Sequence, residues 1–359
     1  MKFSAILGRA ACAALLGGVV AAQTPPRPLS VSAETVVPVA GEPIPAGRVT
    51  IVDGRVKAVG KDVETPAGAE VLHFPGAMIF PGLIDAATSL GARRERDETT
   101  TAFEFDVRMA DVIDPFHPGY ARALAAGVTT THVVGGDRNA VAGRSAVVKV
   151  GPGGALRVLR GDAGLKTSFD SRAYPADRAP TTPQGALDEL RRSPEWKAKA
   201  APSRERSNTL FASVREDRDV LRLPLVAEAF GRPVVALTTV GGARFASDVK
   251  AALAGTVLSP FGPGLAPPER AGLRALFALE TPTAFGSGGD AAPATSLRLA
   301  AASAYAAGVE AARLERALTL DAARLLGVDD RVGSLAPGKD GDLCVFTRSP
   351  ADPRARLLL

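Results

Sequence analysis

Phe80-Pro81-Gly82-Leu83-Ile84-Asp85-Ala86-Ala87-Thr88-Ser89-Leu90-Gly91 marks the point at which the chain changes character. Before it the sequence is strand-rich; after it, apolar β-runs alternate with helical ones. Upstream, residues 49–52 and 55–59 are β-rich runs on either side of Asp53-Gly54, a pair suited to a type I′ turn, and they predict a tight hairpin. Residues 70–74 and 77–80 predict two further short strands. Downstream, 120–126 is an Ala-rich helix stopped by Gly127, and 128–134 a buried strand. A helix over 220–230 ends at Gly231, with Pro224 placed in its first turn, and a strand follows over 233–237. Helices are expected at 296–307 and 314–326, and 333–346 returns to turn and strand. Strand-rich ends around a βα-repeating middle of roughly 250 residues suit an α/β protein with a closed (β/α)8 barrel.

The first 22 residues read as a targeting segment. Lys2 and Arg9 form a basic start, residues 10–22 a short apolar run, and Val20-Ala21-Ala22 a small-residue cleavage site before Gln23. The protein is therefore expected to be exported, periplasmic or extracellular, with no membrane span. Cleavage would lower the formal charge of +5 by two and leave Cys344 as the single cysteine, so stability must come from a packed core. Nucleic acid is not an expected partner, because aromatics are only 5% of residues and no basic block alternates with them.

Several of these segments resemble the amidohydrolase superfamily, specifically the imidazolonepropionase-like amidohydrolases. Asp53-Gly54-Arg55-Val56-Lys57-Ala58-Val59-Gly60 is similar to the family's first hairpin, Phe80 to Asp85 to its approach to the first barrel strand, and Ala126-Gly127-Val128-Thr129-Thr130 to its aGVTT motif. The most specific likeness is residues 317–327, ALTLDAARLLG, followed by 331–343, RVGSLAPGKDGDL. The resemblance implies a TIM barrel over 81–330 and a small β-sandwich domain formed by 23–80 and 331–359, after a leader over 1–22.

It also implies metal-assisted hydrolysis of C–N or ester bonds, with one or two divalent metals such as zinc. The family holds them with a His-X-His on strand one, histidines from strands five and six, a strand-eight Asp and often a carboxylated Lys from strand four. Here the His-X-His positions fall on Ala87 and Ser89, and the strand-five and strand-six positions on Ser213 and Thr238. Lys166 and Asp290 match the lysine and the aspartate, and a salt bridge between them is the expected use of both. The three histidines are not spaced as ligands. His73 falls in the small domain, His117 at a helix start suited to capping, and His132 on the 128–134 strand. Ser89, Ser213 and Ser287 lack a histidine placed as a base, and Cys344 reads as a buried small hydrophobe. A loop carrying Asp137, Arg138, Asn139 and, further on, Arg144 is expected to line the barrel mouth. No metal or other cofactor is expected. These readings favour a non-catalytic homologue that binds a small molecule or partners an active paralogue. The alternative is a hydrolase acting on non-peptide C–N bonds with Asp290 and Lys166 as acid–base groups.

Overall fold

The computed structural model describes residues 27–92, 95–201, 207–288 and 295–359; the expected leader and Asp290 lie outside them. The first sheet holds β1 (Leu29–Val36), β2 (Ile44–Pro45), β3 (Arg48–Val52), β4 (Arg55–Gly60), β5 (Glu70–Pro81) and, from the other end of the chain, β15 (Leu343–Phe346). Asp53 and Gly54 both take positive φ, 50° and 71°, which closes the β3–β4 hairpin as a type I′ turn demands. The two short strands expected at 70–74 and 77–80 are one strand, β5, which passes through Gly76 at φ 69°. β15 lies antiparallel to β5, so the two chain ends build a single described sheet. Its buried side is Val31, Val49, Val56, Ile79 and Val345.

β5 runs directly into the second sheet across Gly82. That sheet contains β6 (Leu83–Thr88), β7 (Phe103–Arg108), β8 (Val128–Val133), β9 (Val141–Val150), β10 (Leu156–Ser168), β11 (Leu210–Val214), β12 (Val234–Thr238), β13 (Leu253–Leu258) and β14 (Thr283–Phe285). Its order is β14-β13-β12-β11-β10-β9-β8-β6, with β7 beside β9. β6 pairs parallel with β8, and β10 through β14 are mutually parallel. β9 departs from the expected βα repeat by running antiparallel to both β8 and β10. The ends of the sheet touch: the Gly288 N–H donates to Ala87 O at 3.0 Å. A Cβ on Gly286 would stand 2.7 Å from the same oxygen, so only glycine permits this approach.

Ile84, Ala86, Val147, Phe211, Val235, Val257 and Ala284, one or two from each of six strands, form an apolar interior. A larger core lies between the strands and the helices Gly119–Ala125, Pro183–Arg192, Leu223–Phe230, Pro267–Ala278 and Ser296–Ala306. The helix expected over 220–230 begins as the 3-10 turn Asp217–Arg222, and Pro224 sits in the first turn of the α-helix that follows. The helix expected over 314–326 is two, Ala311–Ala317 and Leu320–Leu326. Thr319, at φ −139° and ψ −91°, interrupts it, its hydroxyl donating to Glu315 O. Among the described residues no helix is long and apolar enough to cross a membrane.

Candidate functional site

Strand order brings four of the singled-out positions together. Ala87 near the end of β6, Lys166 on β10, Ser213 on β11 and Thr238 at the end of β12 line one cavity of about 80 Å³, with Arg96, Asp137, Arg215, Ser259 and Gly288 among the other walls. Because β10, β11 and β12 are parallel and in register, their C-terminal ends meet at one rim. Ser89 does not join them. It lies one residue past β6, buried, and outside the lining. The reason is a bulge: Asp85 pairs with Thr131 and Thr88 with Val133, so three steps on β6 oppose two on β8. The alternation that would aim residues 87 and 89 the same way is thereby lost.

Lys166, 1% exposed, donates to Asp137 Oδ1 at 2.8 Å and to Gly136 O at 3.3 Å. Asp137 comes from the loop after β8, and its other oxygen accepts from Arg172 at 3.0 Å. Arg172 also grips Asp170 at 2.8 Å, and Arg215 reaches Asp170 at 3.2 Å. Burial opposes the charge on Asp137, but Lys166, a hydrogen bond from Ser213 and Arg172 outweigh it and hold the carboxyl well below its usual range. Among the described residues the partner of Lys166 is Asp137; the expected partner, Asp290, lies outside them. Among the four loop residues expected at the mouth, Asp137 alone lines the cavity. Arg138 is exposed. Asn139 is turned away, donating to Glu98 O and accepting from Arg178 at 2.9 Å. Arg144 lies buried beside Asp162, at 3.3 Å, and donates to Phe105 O and Lys199 O, because on β9 its side chain points away from the cavity.

The histidines separate cleanly. His73 is exposed on β5, within 3.0 Å of Ser32 Oγ. His117 Nδ1 accepts from the Gly119 N–H at 3.2 Å and caps the helix start. His132 is fully buried, its Nδ1 bonded to Ala86 O at 2.8 Å and its ring 4.6 Å from that of Phe211. Burial pushes its pKa down to about 4, against the Ala86 bond that favours the proton. Cys344 is buried, its thiol pushed up to about 12 by burial and donating to Gly127 O at 3.3 Å.

Two features escaped the reading of the sequence. Asp85, treated only as part of the approach to strand one, is a fully enclosed carboxyl at the β6–β14 contact. It accepts from the Ser287 N–H at 2.9 Å and from the Ser287 hydroxyl, which also lies 3.0 Å from Thr88 Oγ1. Burial pushes Asp85 up to about 6 despite these bonds. The second is Arg96, which joins the cavity wall from the loop after β6. Neither has a local motif; both depend on which loops meet.

The implied metals can be tested against the donors present. The described residues bring to the cavity one carboxylate, the amine that pairs with it, and the serines Ser213 and Ser259. Divalent zinc takes three or four imidazole, thiolate or carboxylate donors, so this set does not fit it. Among the described residues no group of three or more His, Cys, Asp or Glu is placed to hold a metal ion.

The Amidohydrolase family model matches residues 258–356. Among solved structures, an amidohydrolase from Thermotoga maritima MSB8 superposes with a TM-score of 0.74 at 23% identity, over 92% of this chain and 96% of that one. Phenylurea hydrolase B matches with a TM-score of 0.55 at 16% identity, over 91% and 93% of the two chains. A protein described as a prolidase from Bifidobacterium longum gives 0.52 at 19% identity, over 91% and 90%. No curated protein sequence matches the chain.

Proposed function

We propose that the chain is a member of the amidohydrolase superfamily, whose family model matches its C-terminal part and whose fold it shares with solved amidohydrolases, and that it is a metal-free member which binds a small molecule rather than hydrolysing one. On this reading the second sheet is the superfamily's (β/α)8 barrel, closed between β14 and β6, and the first sheet is its small β domain. The observation that carries the proposal is the composition of the barrel mouth. Ala87, Ser213 and Thr238 surround the cavity where the resemblance would put imidazoles, and Lys166 is ion-paired with Asp137. An amine engaged in that pair is not free to bridge metals. The neighbours whose names mark them as hydrolases share the scaffold, and scaffold does not carry chemistry without its site.

Metal analysis of the full-length protein, purified without chelators, tests the proposal. Substoichiometric zinc, manganese and iron are expected, together with no turnover of ureas, anilides or Xaa-Pro dipeptides. One equivalent of any of these metals per chain would overturn it. Export belongs to the same proposal, resting on the basic start and apolar run of residues 1–22. N-terminal sequencing of protein from the native host is expected to begin at Gln23.

A further inference from the structure

We propose that Arg172 and Arg215 form a salt-sensitive latch, closing on Asp137 and Asp170, over the side of the cavity that holds Lys166. The latch regulates access to the cavity of the proposed function and rests on that reading for what it admits.

Four side chains from three loops make a closed ring. Arg172, from the loop after β10, donates to Asp137 at 3.0 Å and to Asp170 at 2.8 Å. Arg215, one residue past β11, meets Asp170 at 3.2 Å and Asp137 at 3.7 Å and completes the circuit. Exposure grades outward through it: Asp170 is 5% exposed and Asp137 17%, against 49% for Arg172 and 61% for Arg215. The acids are the inner members and the arginines the outer ones, with Lys166 enclosed behind Asp137. Salt separates the two layers. The Debye length falls from about 10 Å at 0.1 M to about 3 Å at 1 M, and enclosed pairs feel this far less than exposed ones. The Lys166–Asp137 pair is enclosed, whereas both arginines are about half in water, where an ion pair is weak enough to open and re-form. Asp137 is the fixed post. Arg178 donates to Thr99 O at 2.7 Å, Thr101 O at 3.1 Å, Asn139 Oδ1 at 2.9 Å and Arg138 O at 2.6 Å, which ties the loop of Asp137 to the loop after β6. These acceptors are neutral, so screening leaves the tie in place. The moving part is the turn Ser171–Ala173 that carries Arg172. Asp170 caps this turn by accepting from the Arg172 N–H at 2.9 Å, so a carboxylate no longer braced by two arginines loosens the turn as well.

The test is hydrogen–deuterium exchange of the full chain, read by mass spectrometry, in sodium chloride from about 0.1 M to 1 M. Residues 168–174 should exchange about fivefold faster at high salt, the ceiling for an exposed ion pair, while 136–139 and the strand 234–238 keep their rates. The double variant Arg172→Gln with Arg215→Gln should exchange fast over 168–174 already at low salt and lose the salt dependence. Arg172→Lys with Arg215→Lys, which keeps the charges, should restore it in part. Hydroxyl-radical footprinting of Lys166 reads whether opening reaches the cavity, and its labelling should rise several-fold in the glutamine variant. Both arginines are exposed, so the variants fold, and the wild-type salt series decides even without them. Salt-independent exchange over 168–174 in the wild type overturns the latch, as does a glutamine variant with the wild-type salt slope or with Lys166 still protected. None of these readouts uses a metal or a ligand. A flat salt series therefore leaves the metal-free reading standing, and one equivalent of metal in the same sample overturns that reading without touching the latch.

Discussion

Asp85 and His132 make opposite demands on pH, and separating them tests the interior electrostatics directly. Asp85 titrates at about 6 in the folded protein against an ordinary 3.8. Between those values the folded chain keeps a proton that the unfolded chain has released. Its contribution is full below pH 4 and is lost as pH rises through 6, a change of about 3 kcal/mol. His132 titrates at about 4 against an ordinary 6.5. Its contribution is full above pH 6.5 and is lost as pH falls through 4, again by about 3 kcal/mol. Over the same interval the two nearly cancel, and neither is visible in the wild type. Asp85→Asn keeps an acceptor for Ser287 and removes the titration; His132→Gln keeps a donor for Ala86 O. Unfolding free energies from urea melts at pH 4 and pH 7 supply the assay. Relative to wild type, Asp85→Asn should lose about 3 kcal/mol more on going from pH 7 to pH 4, and His132→Gln should gain about as much. Asp137 and Asp340, both held below the usual carboxylate range, are common to all three proteins and drop out of the differences. Stability curves for Asp85→Asn and wild type that run parallel from pH 4 to 7 would refute the reasoning.

Other perturbations follow from single contacts. Asp340 is 3% exposed and receives Lys149 at 2.9 Å, Arg157 at 2.7 Å and Arg331 at 2.9 Å. Asp340→Ala removes the shared acceptor of these part-exposed cations and should cost about 2 kcal/mol in urea melts, as loss of hydrogen bonds to a charged group does, while a loss under about 0.5 kcal/mol would show solvent already screens the cluster. Gly286→Ala drives a methyl into the backbone of Ala87, at 2.7 Å from O and 3.0 Å from N. Neither atom can move without parting β14 from β6, so a loss of about 1–3 kcal/mol is expected, and an unchanged melting temperature would mean the contact is slack. Installing Ala87→His, Ser213→His and Thr238→His together should create a zinc site measurable by calorimetry. A folded triple variant that takes up no zinc would count against the proposal that these positions correspond to the superfamily's metal ligands.

What the sequence disclosed depended on whether a position could be counted from a rigid anchor. Ser213 and Thr238 were located by counting from the helix that ends at Gly231, whose φ of 66° fixes that helix end and hence the strands on either side. Both landed on the cavity wall. The Asp53-Gly54 turn was equally legible, since two adjacent positive φ values admit few residue pairs. Counting failed at Ser89, because a bulge has no letter of its own, and alternation carried past one aims the side chain wrongly. The reversed strand β9 was within reach. Only residues 134–140 separate it from β8, fewer than the dozen or so a parallel crossover needs, so an antiparallel return was the sole connection open to it. That return is what could not be translated into chemistry. It leaves Gly135-Gly136-Asp137 as a short loop rather than the start of a helix, and so delivers a carboxylate to Lys166 from 29 residues earlier in the chain. With Asp137 in place, the lysine is enclosed and paired. On the proposed reading, the character of that cavity follows from this loop acid, which pairs with Lys166, as much as from the residues Ala87 and Ser213 beside it.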